Sequence, residues 1–258
     1  MSQSYAKNKF ESISIIIPAC DEEKYIGKCL DKLLKIKAKS IYAGKLEIIV
    51  VNNNSKDRTR QVVEKYEDLG IILISESKKG AHHARQKGLS IATGNYIACL
   101  DADCIPDDNW INEAMIIFQD DNVVSIAGLC KFSKEKNWNW EWVPTYIQKI
   151  FFPIIHAVSR LIGMGGMMLQ GNSWFRKEAL DAIGGFDTSF EFWGDDARTV
   201  QQLSKLGGKM KYSTNVLVLT SSRRYAKKGL WRTLYDYTLN WFKITIMKEK
   251  PDNVEYEK

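Results

Sequence analysis

The chain opens as an alternation of two hydrophobic rhythms. Short runs that are apolar at nearly every position are followed by stretches whose apolar residues recur every three or four positions. Residues 12–17 form a β-branched run that stops at Pro18 and reads as a buried strand. Ile26, Leu30, Leu33 and Leu34 then follow at helical spacing, with Asp21 placed to cap that helix. Residues 46–51 predict a second strand, ending in Asn52-Asn53-Asn54. Ser55 reads as the next N-cap, with Asp57 in the first turn and Val62, Val63 and Tyr66 on the buried face. Residues 71–74 predict a third strand. Ala81, Ala84, Gly88 and Ala92 give the following helix a small face for close packing, and 96–100 is a fourth strand ending in Asp101-Ala102-Asp103.

The second half is more mixed. Strands are expected at 123–127, 171–176, 210–212 and 216–220, with Val200, Leu203 and Leu206 marking a helix before the last two. Tyr146, Ile150, Ile154, Val158, Leu161 and Ile162 make a helical stripe kinked at Pro153, expected to pack in the core, with contact to a lipid-linked acceptor as the alternative. A last helix is expected over about 229–248.

Strands that are apolar throughout and separated by helices predict an α/β protein whose parallel sheet is covered on both faces. Such sheets bind ligands beyond the carboxyl ends of their strands. Three strands end there in groups suited to a ligand: Pro18-Ala19-Cys20-Asp21-Glu22, Asn52-Asn53-Asn54 and Asp101-Ala102-Asp103.

Composition narrows the class. At 258 residues, 45% hydrophobic and 26% charged, the chain has enough apolar surface for a core, which excludes wholesale disorder. Its net charge of +6 fits an anionic small molecule or a membrane surface and does not by itself imply nucleic acid. Five cysteines, with no C-x-x-C pair, read as reduced, packed thiols rather than a disulfide framework or a structural zinc site. Residues 1–11 carry no apolar signal region, and the apolar stretch at 150–169 is interrupted by Pro153, His156, Arg160 and three glycines. The expectation is a cytoplasmic protein, able to touch the inner face of the cell membrane at its periphery.

The acidic pair Asp101 and Asp103 can hold a divalent cation or a ligand hydroxyl, or can form a solvated loop; its place beside the other strand ends favours the ligand. Lys79 and Arg85, with Gly80 opening their helix, suit a diphosphate, whereas Lys78 reads as a solvated turn. Asp195-Asp196 opens another helix; Asp196 can serve as a general base, and Asp195 as the second catalytic carboxylate, orienting the acceptor hydroxyl or capping the helix. Arg223-Arg224 follows a strand and reads either as a clamp for the diphosphate or an anionic acceptor, or as a solvated basic turn. His82-His83 lacks metal spacing, His156 reads as packed, and the glycine-rich 163–166 segment reads as a loop on the acceptor side. Trp231, Tyr235, Tyr237, Trp241 and Phe242 lie among Arg232, Lys243, Lys248 and Lys250, a pattern for a packed helix, an oligomer contact or a membrane interface.

Taken in order, these motifs resemble family 2 glycosyltransferases, inverting enzymes of the GT-A fold. The resemblance runs over about 12–224. It is carried by Ile-Ile-Ile-Pro-Ala-Cys-Asp-Glu-Glu at 15–23, Ile-Val-Val-Asn-Asn-Asn-Ser-Lys-Asp-Arg-Thr at 49–59, Lys79-Gly80 and Ala84-Arg85. It continues through 94–103, Gly171-Asn172, Gly184-Gly185-Phe186-Asp187, Asp195-Asp196 and Gly207. The resemblance implies a mostly parallel central sheet with helices on both faces and a mixed sheet on the acceptor side. It implies a GT-A domain over 1–228, with a nucleotide-sugar half at 12–104 and an acceptor half at 105–228, followed by an aromatic, basic tail at 229–258.

By the same resemblance, Pro18, Ala19, Cys20 and Glu22 line the nucleotide pocket, Asn52 faces the base, and Asn54, Lys79, Gly80, Arg85 and Ala102 complete the donor side. Asp101 faces the ribose or a metal, and Asp103 holds Mg²⁺ or Mn²⁺; Arg223 and Arg224 join the donor side only on the clamp reading given above. Gly171, Asn172, Trp193 and Gly194 fall on the acceptor side, and Asp196 matches the catalytic base. The implied reaction moves one sugar from a nucleotide diphosphate sugar, of UDP or GDP type, to a hydroxyl acceptor; a lipid-linked acceptor in cell-envelope glycan or glycolipid synthesis is one candidate, suggested by the apolar stripe. The chain departs from the family where Asn52 replaces Asp, Asp21 replaces Asn and Asp195 replaces Glu. It also lacks the Gln-x-x-Arg-Trp motif of processive synthases. A nucleotidyltransferase is disfavoured because Asp21-Glu22-Glu23 would repel a triphosphate, and a silent nucleotide-sugar-binding scaffold because Asp195-Asp196 is present.

Overall fold

The computed structural model describes residues 12–42, 45–134, 138–161, 166, 171–189 and 195–242, without the side chains of 195–197, 237, 238 and 240–242. The first four strands form where the apolar runs predict them: β1 (Ile13–Ala19), β2 (Leu46–Asn52), β3 (Ile71–Ser75) and β4 (Tyr96–Leu100). They pair in parallel in the order β3-β2-β1-β4, with Ala19 beside Asn52 and Asn52 beside Ser75. The connecting helices are α1 (Ile26–Lys39), α2 (Thr59–Glu64) and α3 (Ala81–Leu89).

The sheet continues without a break into the second half. Its elements there are β5 (Ile105–Pro106), α4 (Trp110–Ile117), β6 (Val123–Phe132), α5 (Trp142–Leu161), β7 (Asn172–Arg176), α6 (Lys177–Ala182), α7 (Asp195–Lys205), β8 (Lys209–Thr220), α8 (Arg223–Lys228) and α9 (Leu230–Phe242). The order β4-β7-β6-β8-β5 completes an eight-stranded mixed sheet, with β7 antiparallel to both neighbours and β8 parallel to β6.

Side-chain alternation along the strands divides the core. Ile13, Ile15 and Ile17 of β1 pack with Leu30 and Leu33 of α1 and with Trp110 of α4. Ile16, Ile49 and Ile97 face the other way, against Ala84 of α3, Leu180 of α6 and Leu203 of α7. The small face of α3 is needed: a Cβ on Gly88 would lie 2.5 Å from the Ile16 side chain. All five cysteines are free, and burial pushes the Cys29, Cys104 and Cys130 thiols up, which keeps them neutral.

Several local expectations are corrected. Asp21 does not cap α1, whose N-cap is Tyr25. It adopts φ 54°, and its Oδ1 accepts the Lys56 and Asp57 amides at 2.6 and 3.3 Å. Ser55 does not cap α2, whose N-cap is Arg58; its Oγ accepts the Asp21 amide at 3.1 Å. Both polar residues instead tie the loop after β1 to the loop after β2, because parallel pairing sets those loops side by side. The two short strands expected at 210–212 and 216–220 are one strand, β8, whose register against β6 jumps between Gly128 and Leu129. Arg223 and Arg224 lie in the first turn of a helix, α8, rather than in a basic turn.

The largest correction concerns α5. Its polar residues Gln148, His156 and Ser159 are buried, whereas Tyr146, Ile150, Ile154, Val158 and Leu161 are exposed. Gln148 Oε1 accepts the Cys130 amide at 3.1 Å, and the His156 ring bonds Met210 O at 3.0 Å. The stripe expected in the core therefore faces outward.

Asn172 holds the second half of the sheet together. Its Nδ2 donates to Leu129 O at 3.0 Å and Val216 O at 2.9 Å, and its Oδ1 accepts from Trp110 Nε1 at 2.8 Å. These bonds satisfy β6 and β8 where their ladder is interrupted. Asn172→Ala is expected to cost about 3 kcal/mol, because three buried polar groups lose their partner together. A urea titration that finds stability within experimental error of the unsubstituted protein would remove this role.

Candidate active site

Backbone and side-chain bonds first shape a cradle at the carboxyl edge of β1, β2 and β4. Asn53 is its internal brace: its amide donates to Ala19 O at 2.8 Å, and its Oδ1 accepts the Gly80 amide at 2.8 Å. Its Nδ2 donates to Glu76 O and Lys78 O at 2.9 and 2.6 Å. One buried asparagine thus fixes the ends of β1, β2 and β3 and the entry to α3. The Asn triplet was visible in the sequence, but nothing local distinguished its middle residue as the brace.

Pro18, Ala19 and Cys20 form one wall, with Ala19 buried and Pro18 and Cys20 partly exposed. Asn52 lies at the end of β2 with a buried Oδ1 that meets no donor. Asn54 is exposed, takes φ 57° and bonds the Ser77 carbonyl through its Nδ2. Gly80 takes φ 135°, and Lys79 beside it is exposed.

Charge converges on this edge from distant segments. Arg223 donates to both oxygens of the Glu22 carboxylate, at 2.7 and 2.5 Å, and its Nη2 lies 3.4 Å from Asp103 Oδ2. Its guanidinium rests over the Tyr25 ring, 4.6 Å from the centroid. The Glu22 amide is held by Thr59 Oγ1 at 2.6 Å, which fixes the carboxylate's own loop. Arg85, buried on α3, reaches Asp101 Oδ1 at 3.0 Å. The other Asp101 oxygen leans over Gly171, where a Cβ would sit 2.5 Å away, so glycine there leaves the space the carboxylate occupies. The Asp101 amide also donates to Gly171 O at 3.2 Å. Ala102 is buried between the two acids, and Thr220 Oγ1 lies 3.4 Å from Asp103 Oδ1. Arg224, next to Arg223, is exposed. Tyr25 and Thr220 carried no sequence signal, since only the folding of β8 and α8 onto the first loop brings them here.

Burial pushes the Asp103 carboxyl up to about 6; Asp101 and Glu22 add to the rise, while Arg223 and Arg224 oppose it. Asp101 and Asp103 offer hard oxygen ligands, and the guanidinium beside Asp103 shows that the site accepts positive charge. Among the described residues no three His, Cys, Asp or Glu side chains group as a complete metal cage. Asp101 and Asp103 are the residues whose hard oxygens would suit Mg²⁺ or Mn²⁺.

The acceptor-side residues divide. Gly171 borders Asp101, but Asn172 is fully buried and its amide is committed to the sheet, so the structure gives it no surface for an acceptor. Trp193 and Gly194 lie outside the described residues, as do 163–165 of the glycine-rich segment. Asp195 and Asp196 start α7, with only their backbone described. That helix is tied to α3: the Phe186 amide donates to Gln86 Oε1 at 2.7 Å, and Asp187 pairs with Arg198 at 3.6 Å.

Residues 14–184 match the family model for glycosyl transferase family 2, and the chain belongs to that family. Glycosyltransferase AglE of Haloferax volcanii is 30% identical over 125 residues, which cover 47% of this chain and 40% of that protein. UDP-Glc:alpha-D-GlcNAc-diphosphoundecaprenol beta-1,3-glucosyltransferase WfgD of Escherichia coli is 37% identical over 100 residues, 38% of this chain and 36% of that one. The chain thus matches well under half the length of these two relatives. Mannosyltransferase PcManGT from Pyrobaculum calidifontis, solved with GDP-Man and Mn²⁺, superposes with a TM-score of 0.68 at 22% identity. The superposition covers 93% of this chain and 65% of that one, and it shows the shared GT-A fold.

The Asp103 environment predicts a pH signature. A carboxyl with a raised folded pKa favours the folded state below the unfolded value of 3.8, and that contribution is lost as the pH rises through about 6. Asp103→Asn stays neutral throughout. The unliganded variant is expected to exceed the unsubstituted protein in stability above pH 6, by on the order of 2–3 kcal/mol at most, with the gap closing toward about pH 4. Urea titrations across that range check it; a gap independent of pH would contradict the assignment.

Proposed function

We propose that the chain transfers a single sugar from a UDP- or GDP-linked donor to a hydroxyl acceptor, with inversion at the anomeric carbon. The observation that carries this reading is the meeting of Glu22, Asp101, Asp103 and Arg223 from three chain segments at one sheet edge. The cradle of Pro18, Ala19, Cys20, Asn52 and Asn54 takes the nucleoside, and the unpartnered Asn52 oxygen is available to a donor on the base. Asp101 and Asp103 would hold Mg²⁺ or Mn²⁺, which would supply positive charge against the diphosphate leaving group. Lys79, Arg85, Arg223 and Arg224 supply further positive charge for the same group.

Asp196, in the first turn of α7, takes the proton from the acceptor hydroxyl as the oxygen attacks the anomeric carbon. Attack opposite the leaving group is a single displacement and inverts the centre. Asp195 orients the acceptor or caps the helix, and Gly171, Trp193 and Gly194 border the acceptor. The link from α3 through Gln86 and the 184–187 turn to α7 supports this arrangement, because it couples the helix carrying Arg85 to the helix carrying the base. Residues 1–228 form the transferase domain, with donor half 12–104 and acceptor half 105–228, and 229–258 are an appendage to it. WfgD, by its name, acts on a sugar linked to diphosphoundecaprenol. A lipid-linked acceptor in envelope glycan or glycolipid synthesis is the corresponding reading here, at the cytoplasmic face, where free cysteines stay reduced.

A thermal-shift screen of UDP and GDP compounds with Mn²⁺ identifies the donor, because ligand bound to the folded state raises the melting temperature. With that donor, Asp103→Asn and Asp196→Asn are each expected to lower turnover by about 10²–10⁴-fold. Asp103→Asn should also abolish the Mn²⁺-dependent part of the shift, while Asp196→Asn leaves donor binding intact. Full turnover in both variants would defeat the site assignment, and donor binding with no transfer to any acceptor would identify a silent binder instead.

A further inference from the structure

Helix α5 presents its faces in reverse. Over twenty residues it turns a polar stripe toward β6 and β8 and leaves an apolar one outside. Trp142, Tyr146, Ile150, Ile154, Val158 and Leu161 each leave half or more of the residue's surface in solvent. On a helical wheel they share one broad arc, and nothing in the described fold lies against it. An apolar face of this length, about 30 Å at the helical rise, is rare on a free surface and marks a contact.

The charges decide which contact. Within α5 the ionisable residues of fixed charge are Lys149 and Arg160, with no carboxylate. Both are exposed, and both border the apolar arc on the same side. At the amino end, Trp140, Trp142 and Tyr146 are exposed and follow one another as a ladder of rings, with centroids 6.2 and 6.0 Å apart. Amphipathic rings suit the headgroup level of a bilayer, aliphatic side chains suit the acyl boundary beneath it, and cations suit anionic headgroups. A second copy of the chain would bring the same two cations to the same face, with no α5 carboxylate to answer them. Among the described residues no helix is long and apolar enough to cross a membrane.

We propose that α5 is a membrane-docking helix that lies in the plane of an anionic bilayer, with Ile150, Ile154 and Val158 inserted and Lys149 and Arg160 at the headgroups. Trp231 and Tyr235, one turn apart and exposed on α9, add a second aromatic contact. The exposure, ring ladder and charge that carry the proposal do not depend on the transfer reaction.

Flotation of the full chain with vesicles tests it in the absence of donor and acceptor. Phosphatidylcholine vesicles containing phosphatidylglycerol should carry the protein, and pure phosphatidylcholine vesicles should carry less. Ile150→Glu combined with Ile154→Glu changes only exposed positions, and an unchanged melting temperature verifies its fold. That variant should lose roughly tenfold or more of its partitioning. Lys149→Glu with Arg160→Glu should remove the preference for anionic lipid. The proposal is overturned if the unsubstituted protein stays with the soluble fraction, or if the double Glu variant floats as well as the parent. Self-association that the Ile150→Glu, Ile154→Glu variant abolishes, without vesicle binding by the parent, would assign the face to a second copy and also overturn it.

Discussion

The bidentate pair of Arg223 with Glu22 joins residues 201 positions apart. Glu22 sits in the loop leaving β1, and Arg223 opens the helix that leaves β8. Their contact brings the two ends of the sheet's chain path onto the same pocket. It also delivers a cation to Asp103, which stands in a third loop. Glu22 is nearly buried, and a carboxylate so placed is costly unless paired and hydrogen-bonded. The positions of β8 and α8 are therefore part of what makes the acids at this edge possible.

A second level of organisation supports that pair. The acids stand on loops, and those loops are cross-braced by Asn53, Asp21, Ser55 and Thr59 rather than by the helices that follow them. Parallel strands place consecutive carboxyl ends next to one another, so a side chain in one loop finds the backbone amides of the next. Bracing of this kind positions Glu22 and Gly80. On the far side, Asn172 and Trp110 keep β6, β7 and β8 in place beneath Asp101 and Thr220.

The outward face of α5 belongs to a different physical problem. Its buried Gln148 and His156 bond backbone groups of β6 and β8 with the polar stripe turned inward. The apolar arc is the consequence, and its aromatic and cationic borders match a lipid interface. A glycosyltransferase whose acceptor is held in a bilayer would gain from lying against it, since docking confines the search for acceptor to two dimensions.

The alternating apolar runs by themselves determined the first four strands, their parallel pairing and the edge where Glu22, Asn52, Asp101 and Asp103 meet. Those features follow from burial on both faces of a sheet and from chain direction, and both are local properties of the sequence. The ordered motifs also determined the family. What each polar side chain bonds to was decided by the tertiary structure. Asp21 and Ser55 look like caps in sequence but are cross-loop braces, and Asn172 looks like a ligand residue but is a staple in the sheet. Hydrogen-bond partners come from residues far along the chain, which spacing does not encode. Periodicity likewise marked the apolar stripe of α5, but only the fold decided which way it turned, because the partners of Gln148 and His156 on β6 and β8 lie far along the chain.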